Sequence, residues 1–566
     1  MSTNLSGQHR QALLSQIQAL RLYVSVTAQE DTGKTLLSCL ENLEKDLSQM
    51  PFGLEFQHHQ EEIQRRFATH APILTEEKEL FLDRGGPLHF LLEGDNLASL
   101  HLMEKTHRGR IQMIYIDPPY NTGNKDFTYD DQMVDGADSF RHSKWLSFMQ
   151  ARLEIARELL TEQGVIFLSI DDNEMAHLKL LCDGLFGEEN FVANIVVKSN
   201  PRGSQSKKAI ASVHEYLLVY AKNITKAAII GHPLTDAMKE EYQYQDSQGP
   251  YRLLGLRQRG GFWRASQRPN LWYPFYVDPV QETLSLEEDD RHTAAVWPRQ
   301  PTTGEEGTWR WSREKAQAHM EALVPRKIKR QGELVWDIYQ KDYLAPGGRV
   351  RRTKAKTLWD EKEVNYQNAA KELRTLFGTA PFTYAKPIYL VSRAMEMVDF
   401  SENPYILDFF AGSGTTGHAV MRANAADGGN RRFILCTNNE NQICRQVTYP
   451  RLARAMEQEQ FQASLKYLKV GYVPTAGRQD HGYGPTLLAH SPELVELETG
   501  EALSSGLVAV LLTQEALRAF LASPERLAIC QKLYLCRDLP VDGPTEQLLK
   551  EHHITLERIP DRFYRE

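Results

Sequence analysis

Short apolar runs that alternate with helical stretches constrain the fold of this chain more than any other feature. The runs IQMIYI, GVIFLSI and EYLLVYA contain few polar residues, and between about residues 100 and 185 such runs alternate with helical sequences such as SKWLSFMQARLEIARELL. Strands that are apolar on both faces are typical of parallel sheets covered by helices on both sides. The same pattern returns after residue 380, so the sequence predicts an α/β fold built from two parts of the chain.

Changes in composition predict five regions. The first residues carry apolar side chains at helical spacing, whereas a middle segment holds seven of the eight tryptophans among many Arg, Pro and Gly residues, which indicates an inserted module. The end of the chain contains KLYLCRD, TEQLLKEHH and ITLERIP, which predict a strand–helix–strand appendage. The predicted regions are a helical N-terminal region at 1–80, a first half of the α/β layer at 81–223, the insertion at 224–380, the second half at 381–469 and a small α/β appendage at 470–566.

Composition also excludes several classes of protein. No apolar run approaches the ~20 residues that cross a bilayer, and the N-terminus has no apolar signal segment, so we expect a cytoplasmic protein without membrane contact. The six cysteines form no C-x-x-C pair and the histidines form no H-E-x-x-H motif. Neither a disulfide scaffold nor a metal site is therefore expected from the sequence.

The sequence Asp117-Pro118-Pro119-Tyr120 follows the apolar run IQMIYI directly. A carboxylate at the carboxyl end of a parallel strand lies where open α/β sheets bind ligands. The prolines remove two N–H donors and leave carbonyl acceptors, and the tyrosine ring offers a stacking surface. These features suit a planar base with an amino group, whose nitrogen becomes more nucleophilic when its N–H groups donate to Asp117 and to the Pro118 carbonyl. The same residues also fit an ordinary tight turn.

A glycine-containing motif follows the apolar run PYILDFF and opens a helix. Gly412 and Gly414 would let the backbone approach a ligand, and the helix start supplies free N–H groups. Glu440, just beyond the next strand, lies roughly where a carboxylate would bind ribose hydroxyls, although it also fits a solvated loop. The candidate cofactor-binding residues here are Asp408, Phe409, Phe410, Ala411, Gly412, Ser413, Gly414, Thr415, Thr416 and Glu440.

Together the two motifs resemble those of the amino-group DNA methyltransferases that use S-adenosylmethionine. D-P-P-Y precedes F-x-G-x-G with an insertion between them, which is the order of the permuted β class. The segments DPPYNTGNKDFTYDD, KWLSFMQARL, GVIFLSIDD and HEYLLVYAK are similar to the Mod subunits of type III restriction–modification systems. The resemblance covers about residues 88–222 and 380–455, and the chain has C-T-N-N-E where Mod subunits usually have V-Q-L-P-E.

This resemblance implies a permuted, Rossmann-like methyltransferase sheet with an inserted target-recognition domain. It implies transfer of a methyl group from S-adenosylmethionine to N6 of adenine in double-stranded DNA. Asp95, in the segment G-D-N-L, and Lys386, in K-P, would join the cofactor-binding residues, although Lys386 also fits a helix start. The implied partners are a second copy of the chain and a helicase–nuclease restriction subunit. The implied catalytic residues are Asp117, Pro118, Pro119 and Tyr120.

Basic residues are concentrated although the net charge of the chain is −8. Residues 321–357 contain ten Lys and Arg residues against four acids, and the runs PRKIKR and PGGRVRRTKAKT are candidate phosphate-contacting stretches. Each residue taken alone also fits a solvated surface charge. The candidate DNA-binding residues are Lys198, Arg202, Lys207, Lys208, Arg349, Arg351 and Arg352.

Several alternatives remain open from the sequence. Cytosine-N4 methylation also acts on an exocyclic amine, and both a DNA-recognition subunit without catalysis and an RNA or protein amino-methyltransferase would share some of these motifs. Cytosine-C5 methylation is excluded because its thiolate nucleophile usually stands in a Pro-Cys dipeptide, which the chain lacks. The G-K-T at residues 33–35 does not form a P-loop, since Ala28 occupies the position of the first glycine.

Overall fold

The computed structural model describes residues 14–24, 36–37, 39–40, 56–129, 132–135, 138–203, 210–330, 332–475 and 484–564. The chain forms two compact units. One unit combines Met1–Ile229 with Lys356–Glu566, and the other is Ile230–Ala355. Both predicted motifs lie in the first unit.

A ten-stranded sheet forms the centre of the first unit, with the spatial order β1-β10-β2-β9-β8-β3-β4-β6-β5-β7. In chain order the strands are β1 (His70–Glu76), β2 (Leu88–Glu93), β3 (Ile111–Ile116), β4 (Leu160–Ile170), β5 (Phe191–Val197), β6 (Glu215–Ala221), β7 (Leu358–Trp359), β8 (Tyr405–Asp408), β9 (Arg432–Thr437) and β10 (Ser464–Pro474). From β10 to β4 every neighbouring pair runs parallel. The predicted α/β layer is thereby confirmed.

Apolar sequence explains why the central strands are buried. All residues of β2, β3 and β8 are buried, as continuous apolar runs require in a sheet covered on both faces. Residues of the connecting helices belong to the same hydrophobic core as the strands. The helices of this part are α1 (Glu62–Phe67), α2 (Asn96–His107), α3 (Arg141–Leu159), α4 (Met175–Phe186), α5 (Gln367–Phe377), α6 (Ile388–Glu396), α7 (Thr415–Asp427) and α8 (Tyr449–Gln458).

The two halves of the layer interleave within one sheet. Strands β8 and β9, from the second half, lie between β2 and β3, from the first half. At the far side β6 pairs antiparallel with both β4 and β5, and β1 pairs antiparallel with β10. The chain therefore builds one continuous layer from segments on both sides of the insertion.

Two predicted boundaries need correction. The helical N-terminal region does not extend to residue 80, because His70–Glu76 forms the edge strand β1; its sequence HAPILTE pairs with β10 along its whole length. The helical runs LLSQIQALRLYV at 13–24 and LLSCLENLEKDL at 36–47, on which the predicted N-terminal region rests, lie only partly within the described residues, where 14–24, 36–37 and 39–40 are helical. The insertion is predicted to end at residue 380, but the compact unit already ends at Ala355. Strand β7, which begins at Leu358, pairs with β5 and so belongs to the main sheet.

The second unit, Ile230–Ala355, lies within the predicted insertion 224–380 and is built mainly from antiparallel strands. Its hydrophobic core includes the buried Trp309 and Trp311, which accounts for part of the unusual tryptophan content. The unit also has short helices at Asp236–Lys239 and Arg313–Ala318. Its sheets comprise Tyr244–Asp246, Gly249–Gly255, Glu333–Tyr343 and Leu323–Arg330; Leu284–Ser285, Phe275–Val277 and Ala294–Val296; and His232–Pro233 with Arg352–Thr353.

The end of the chain contains the predicted strand–helix–strand pattern within a three-stranded parallel sheet. Its strands are Val508–Leu511, Lys532–Leu535 and Thr555–Arg558, and its helices are Gln514–Leu521, Pro524–Ile529 and Gly543–Glu551, preceded by Gly484–Ala489 and Ser491–Thr499. A hairpin of Asn124–Tyr129 and Gln132–Asp135 follows β3. Within the described ranges, no helix has the length and apolar character needed to cross a membrane.

Candidate active site

The two predicted motifs lie on neighbouring strands of the main sheet. Asp117 follows β3, Phe409 follows β8, and these strands pair in parallel. Parallel neighbours present their carboxyl ends at the same edge of a sheet, so the loops that follow them meet there. The insertion therefore separates the motifs along the chain but not in space.

Two adjoining cavities open at this edge. The glycine-loop cavity has a volume of about 570 Å³ and the D-P-P-Y cavity one of about 550 Å³. Both volumes lie within the range of small-molecule sites. The walls that the two cavities share are Asp117, Pro119, Phe382, Phe410 and Gly412. A ligand in one cavity could thus react with a ligand in the other at Asp117.

Asp117 has a buried acceptor atom at this junction. Its Oδ1 accepts no hydrogen bond from any residue within the described ranges. The Lys386 ammonium lies 3.0 Å from Oδ1, at ion-pair distance but outside hydrogen-bond geometry. Burial raises the pKa of Asp117 above its ordinary value, and the charge of Lys386 opposes this rise. The carboxylate retains capacity for an N–H donor from a ligand.

Neighbouring elements hold the D-P-P-Y loop in place. The buried indole of Trp145, from α3, donates a 2.7 Å hydrogen bond to the carbonyl of Pro119. On the other side, the hydroxyl of Tyr120 donates a 2.8 Å hydrogen bond to Glu215, the first residue of β6. A loop fixed at both ends loses little further freedom when a ligand binds, which favours precise positioning.

Lys386 is buried in the D-P-P-Y cavity, just before α6. Its Nζ donates to the hydroxyl of Tyr120 at 2.6 Å and to Glu215 at 3.2 Å, and the hydroxyl of Tyr366 donates to the same carboxylate oxygen at 2.5 Å. Burial acts to lower the pKa of Lys386, but Asp117 and Glu215 outweigh it and hold that pKa above its ordinary value. The cavity therefore contains one buried cation beside two carboxylates.

Backbone conformation explains the glycines of the second motif. Gly412 has a φ of +48°, and a Cβ at this position would meet nothing closer than the Phe382 ring at 3.8 Å. Gly414 has a φ of +79°, and a Cβ there would approach Thr448 to 3.2 Å. Left-handed backbone favours glycine at both positions, and the absence of a side chain at Gly412 leaves the cavities it lines open.

Asp408 holds the glycine loop in shape. Its carboxylate accepts a 2.6 Å hydrogen bond from the hydroxyl of Thr416 and a 3.0 Å bond from the backbone N–H of Phe410. Burial raises the pKa of Asp408 to about 7 despite these two hydrogen bonds. The hydroxyls of Ser413 and Thr415 accept hydrogen bonds of 2.8 and 2.7 Å from the buried Arg451. These hydrogen bonds, made by buried side chains, fix the conformation of the glycine loop.

Asp95 also lines the glycine-loop cavity and is the N-cap residue of α2. Its Oδ1 accepts the backbone N–H groups of Leu97 and Ala98 at 2.8 and 3.2 Å, as an N-cap does. Arg152, which is 1% exposed, lies 3.7 Å from the Asp95 carboxylate and makes two hydrogen bonds, of 2.6 and 3.1 Å, with Glu61. The position of Asp95 is thus fixed by a helix start and a buried cation.

Glu440 lines the same cavity from the loop after β9, where it is exposed. The next two residues, Asn441 and Gln442, have φ values of +50° and +61°. Such left-handed conformations at residues other than glycine are strained and cluster in ligand-binding loops. A strained loop therefore carries Glu440 at the wall of this cavity.

The structure brings most of the predicted site residues to these two cavities. Their individual roles stay predictions. Among the predicted cofactor residues, the glycine-loop cavity is lined by Asp95, Phe409, Phe410, Gly412 and Glu440, and the D-P-P-Y cavity by Lys386, Asp408, Phe410, Ala411, Gly412, Ser413, Thr415 and Thr416. Lys386 thus lies beside the D-P-P-Y residues rather than along the glycine-loop cavity.

Sequence patterns missed four residues that shape the cavities: Arg152, Glu215, Tyr366 and Phe382. Only Glu215 carried a signal, because it is a charged residue at the beginning of the apolar strand EYLLVYA. The other three come from elements that are remote in sequence, so that only the fold brings them to the site.

The candidate DNA-binding residues have different environments. In the first unit Lys198 is half-buried and Arg202 is exposed, while Lys207 and Lys208 lie outside the described residues. In the second unit Arg349 is exposed, whereas Arg351 forms a 2.7 Å ion pair with Asp342. Arg352 is exposed and donates a 2.9 Å hydrogen bond to the carbonyl of Gly231.

Comparison with known proteins places this architecture among DNA methylases. Residues 111–448 match the family model described as DNA methylase. The type II methyltransferase M.KpnI of Klebsiella pneumoniae is 38% identical over 350 residues, which cover 61% of this chain and 79% of that protein. The EcoPI Mod subunit, a type III restriction–modification enzyme subunit of Escherichia phage P1, is 34% identical over 379 residues, which cover 62% of this chain but only 58% of that subunit.

A solved structure of lower similarity also aligns. It is a putative DNA modification methylase of Thermus thermophilus complexed with S-adenosyl-L-methionine, at 15% identity and a TM-score of 0.30, covering 67% of this chain and 99% of that chain. The fold assignment rests on the parallel sheet itself rather than on this superposition.

Proposed function

The chain belongs to the family of N6 and N4 DNA methylases, and on that basis we propose that it transfers a methyl group from S-adenosylmethionine to N6 of adenine in double-stranded DNA. The observation that carries the proposal is the junction of the two cavities at Asp117. Methyl transfer requires the sulfur of the donor, the methyl carbon and the acceptor nitrogen to lie on one line. Two cavities that share a wall can hold donor and acceptor in this arrangement.

The glycine-loop cavity fits the methyl donor. Gly412 leaves its backbone open, and the strained loop at Asn441 presents Glu440 to the cavity. Asp95 and Glu440 would accept hydrogen bonds from hydroxyl groups of the donor, and the backbone of Phe409 and Phe410 would contact it closely. When bound, S-adenosylmethionine supplies a methyl group activated by a positively charged sulfur.

The D-P-P-Y cavity fits the acceptor base. Its side chains combine aromatic rings, Tyr120 and Tyr366, with the carboxylates of Asp117 and Glu215. An adenine flipped out of the duplex would stack on Tyr120, while its amino group donates to the spare Oδ1 of Asp117 and to the Pro118 carbonyl. These hydrogen bonds draw the nitrogen lone pair out of the ring, and the reaction needs no covalent intermediate with the protein.

The second unit would recognise the DNA sequence. It interrupts the methyltransferase layer, and it carries the exposed Arg349 and Arg352, which could contact phosphates or guanine. Target recognition by residues 230–355 is therefore part of the proposal. The predicted contribution of Lys198 and Arg202, and of Lys207 and Lys208, belongs to the same proposal.

Similarity to type III Mod subunits supports a role in a restriction–modification system, with a helicase–nuclease restriction subunit as partner. Similarity to M.KpnI, whose length is covered more fully, supports a methyltransferase of the type II kind instead. Co-purification of the chain with a restriction subunit distinguishes the two. A homodimer and a cytoplasmic location stay predictions.

Methylome sequencing tests the proposal most directly. The full chain is expressed in cells whose own DNA methyltransferases are deleted, with Asp117→Asn as the inactive control. We expect N6-methyladenine at one sequence motif, absent in the control. N4-methylcytosine at a motif would instead identify the chain as a cytosine-N4 methyltransferase. Unmodified DNA would contradict the proposal and favour a DNA-recognition subunit without catalysis.

A further inference from the structure

Three potential ligand side chains meet behind the D-P-P-Y loop, outside both cavities. His142 lies in the first turn of α3, Glu174 immediately precedes α4, and His177 lies in its first turn. Their nearest nitrogen and oxygen atoms all lie within 4.8 Å of one another. Among the residues that the structure describes, this is the one group of three His, Cys or carboxylate side chains so close together.

Glu174 is the unusual member, because its carboxylate is completely buried. It stands at the N-cap position of α4 yet makes no capping hydrogen bond to that helix. Its Oε1 instead accepts from Asn121 at 2.5 Å and lies 2.6 Å from Nδ1 of His142. A fully buried carboxylate is costly unless hydrogen-bond donors or a cation compensate it.

The other oxygen of Glu174 faces His177 without bonding to it. Oε2 and Nδ1 of His177 lie 2.9 Å apart, yet neither atom takes part in a hydrogen bond with a described residue. Two buried polar atoms this close together without a hydrogen bond would both be satisfied by a cation bound to the oxygen and to the lone pair of the neutral imidazole. Small adjustments of the two imidazoles would give ordinary metal–ligand distances.

We propose that His142, Glu174 and His177 bind one divalent transition-metal ion of the zinc class. Two imidazoles and one carboxylate are a ligand set that Zn²⁺ accepts, with a fourth position left for water. The two imidazoles are 36% and 35% exposed, so an ion can enter from solvent. Ca²⁺ and Mg²⁺ fit less well, since they prefer six or more oxygen ligands.

The ion would stabilise the loop that carries the catalytic motif. Asn121, directly after Tyr120, is fully buried and has a φ of +55°. Its amide donates to Glu174 and to the backbone carbonyl of Arg141. Fixing Glu174 between two helices therefore fixes the strained residue that ends the D-P-P-Y loop.

A hydrogen-bonded arrangement is the competing state of the same side chains. The guanidinium of Arg141 donates a 3.1 Å hydrogen bond to Nε2 of His142, which leaves the imidazole proton on Nδ1, towards Glu174. A metal ion on Nδ1 displaces that proton and breaks the contact with Arg141. Arg141→Gln removes both the contact and a nearby positive charge, so it should bind the ion more tightly than the unaltered chain.

Titration of the chelator-treated full chain with Zn²⁺, followed by calorimetry, tests the proposal. We expect one ion per chain, and a Tm of the metal-free protein that rises on adding Zn²⁺. Co²⁺ in place of Zn²⁺ should give the visible absorption of a four-coordinate nitrogen–oxygen site. His142→Ala, His177→Ala and Glu174→Gln should each weaken binding by at least about tenfold.

His101→Ala is the matched control, because His101 also faces a glutamate three residues away, Glu104, but belongs to no cluster of three such ligand side chains among the described residues. Its affinity for Zn²⁺ should equal that of the unaltered chain. If circular dichroism shows that Glu174→Gln does not fold, the Zn²⁺ affinity of His177→Ala still tests the proposal, because His177 is half-exposed and its replacement disturbs the fold less. No saturable binding, or equal loss in His101→Ala, would show that the three side chains form only a hydrogen-bonded network. These readouts do not depend on methyl transfer.

Discussion

Lys386 and Asp117 form a 3.0 Å ion pair that joins the two halves of the sheet across the insertion. Asp117 follows the strand β3 of the first half, and Lys386 lies near the start of the second half, just before α6, with 7% of its side chain exposed. The pair links the motif proposed to act on the base with a residue that sequence resemblance assigned to the cofactor. Its electrostatic effect on Asp117 can be measured.

Replacing Lys386 by Met should move the acid limb of the pH–rate profile to higher pH. Burial raises the pKa of Asp117 and the Lys386 ammonium counteracts it, so removing the ammonium raises that pKa further. The proposed reaction needs the ionised carboxylate, and a higher pKa therefore delays activity as pH rises. Single-turnover methylation across pH, with the exposed Lys371→Met as control, measures the shift; coincident limbs would show that Asp117 does not limit the rate.

Asp117→Asn should lower the rate of methyl transfer by at least about 100-fold, which corresponds to ~2.7 kcal/mol of barrier. The amide offers a weaker acceptor at the junction of the cavities, whereas most of the glycine-loop cavity is unchanged. Calorimetry should therefore give nearly normal affinity for S-adenosylmethionine. The exposed Asp399→Asn serves as control, and activity within about tenfold of normal would remove Asp117 from the catalytic residues.

Gly412→Val should abolish cofactor binding and leave DNA affinity nearly unchanged. The valine side chain would enter space that Gly412 leaves open at both cavities, and its left-handed backbone adds strain of about 1–2 kcal/mol. Gly428→Val separates the two effects, because Gly428 has a φ of +70° but no atom within 4 Å of an added Cβ and lines neither cavity. Equal loss of affinity in both variants would mean that strain alone is responsible.

Asp408→Asn should change how stability depends on pH. Burial raises the pKa of Asp408 to about 7 from 3.8, so the folded state retains a proton that the unfolded state has lost. Its stabilising contribution is complete below about pH 4 and disappears as pH rises to about 7. The Tm of the unaltered chain relative to Asp408→Asn should accordingly fall across this interval in calorimetric scans; a constant difference would contradict the raised pKa.

Neutralising Arg349, Arg351 and Arg352 together should weaken DNA binding without affecting the cofactor. Each lost phosphate contact makes the slope of log K against log salt shallower by about 0.9, or roughly 2.7 for three contacts. Because Arg351 pairs with Asp342, we expect Arg349→Gln and Arg352→Gln to account for most of the change. Binding to cognate and scrambled duplexes at several salt concentrations measures it. Unchanged slope and discrimination would mean that recognition lies elsewhere.

The fold and both motifs could be predicted because their signals are local. A buried parallel strand is a continuous apolar run, and the residues that follow it, Asp117 or Gly412, stand next to it in sequence. The strand β1 was missed since HAPILTE is short and contains a proline, and only pairing with β10 makes it a strand. The tryptophan of Leu358–Trp359 predicts that this segment belongs to the insertion. Its pairing with β5 instead makes it a strand of the main sheet.

Contacts between segments that are distant in sequence limit how much of the site can be predicted. The resemblance predicts that Lys386 binds the cofactor, yet its ammonium contacts Tyr120 and Glu215. The dipeptide Lys386-Pro387 by itself does not indicate these partners. The same holds for His142 and Glu174, which carry no recognisable metal spacing and approach each other only because two helices begin side by side. Residues that act through such contacts need the structure.

The interleaved sheet has a consequence for synthesis of the chain. Strand β2 emerges early but pairs only with β9 and β10, which are translated after the second unit. Until then a growing polypeptide displays a strand that is wholly buried in the finished fold and has two open edges, a known hazard for aggregation. We therefore expect the nascent first half to need shielding by the ribosome or by chaperones, and a fragment that stops before β9 to precipitate rather than remain folded as half a domain.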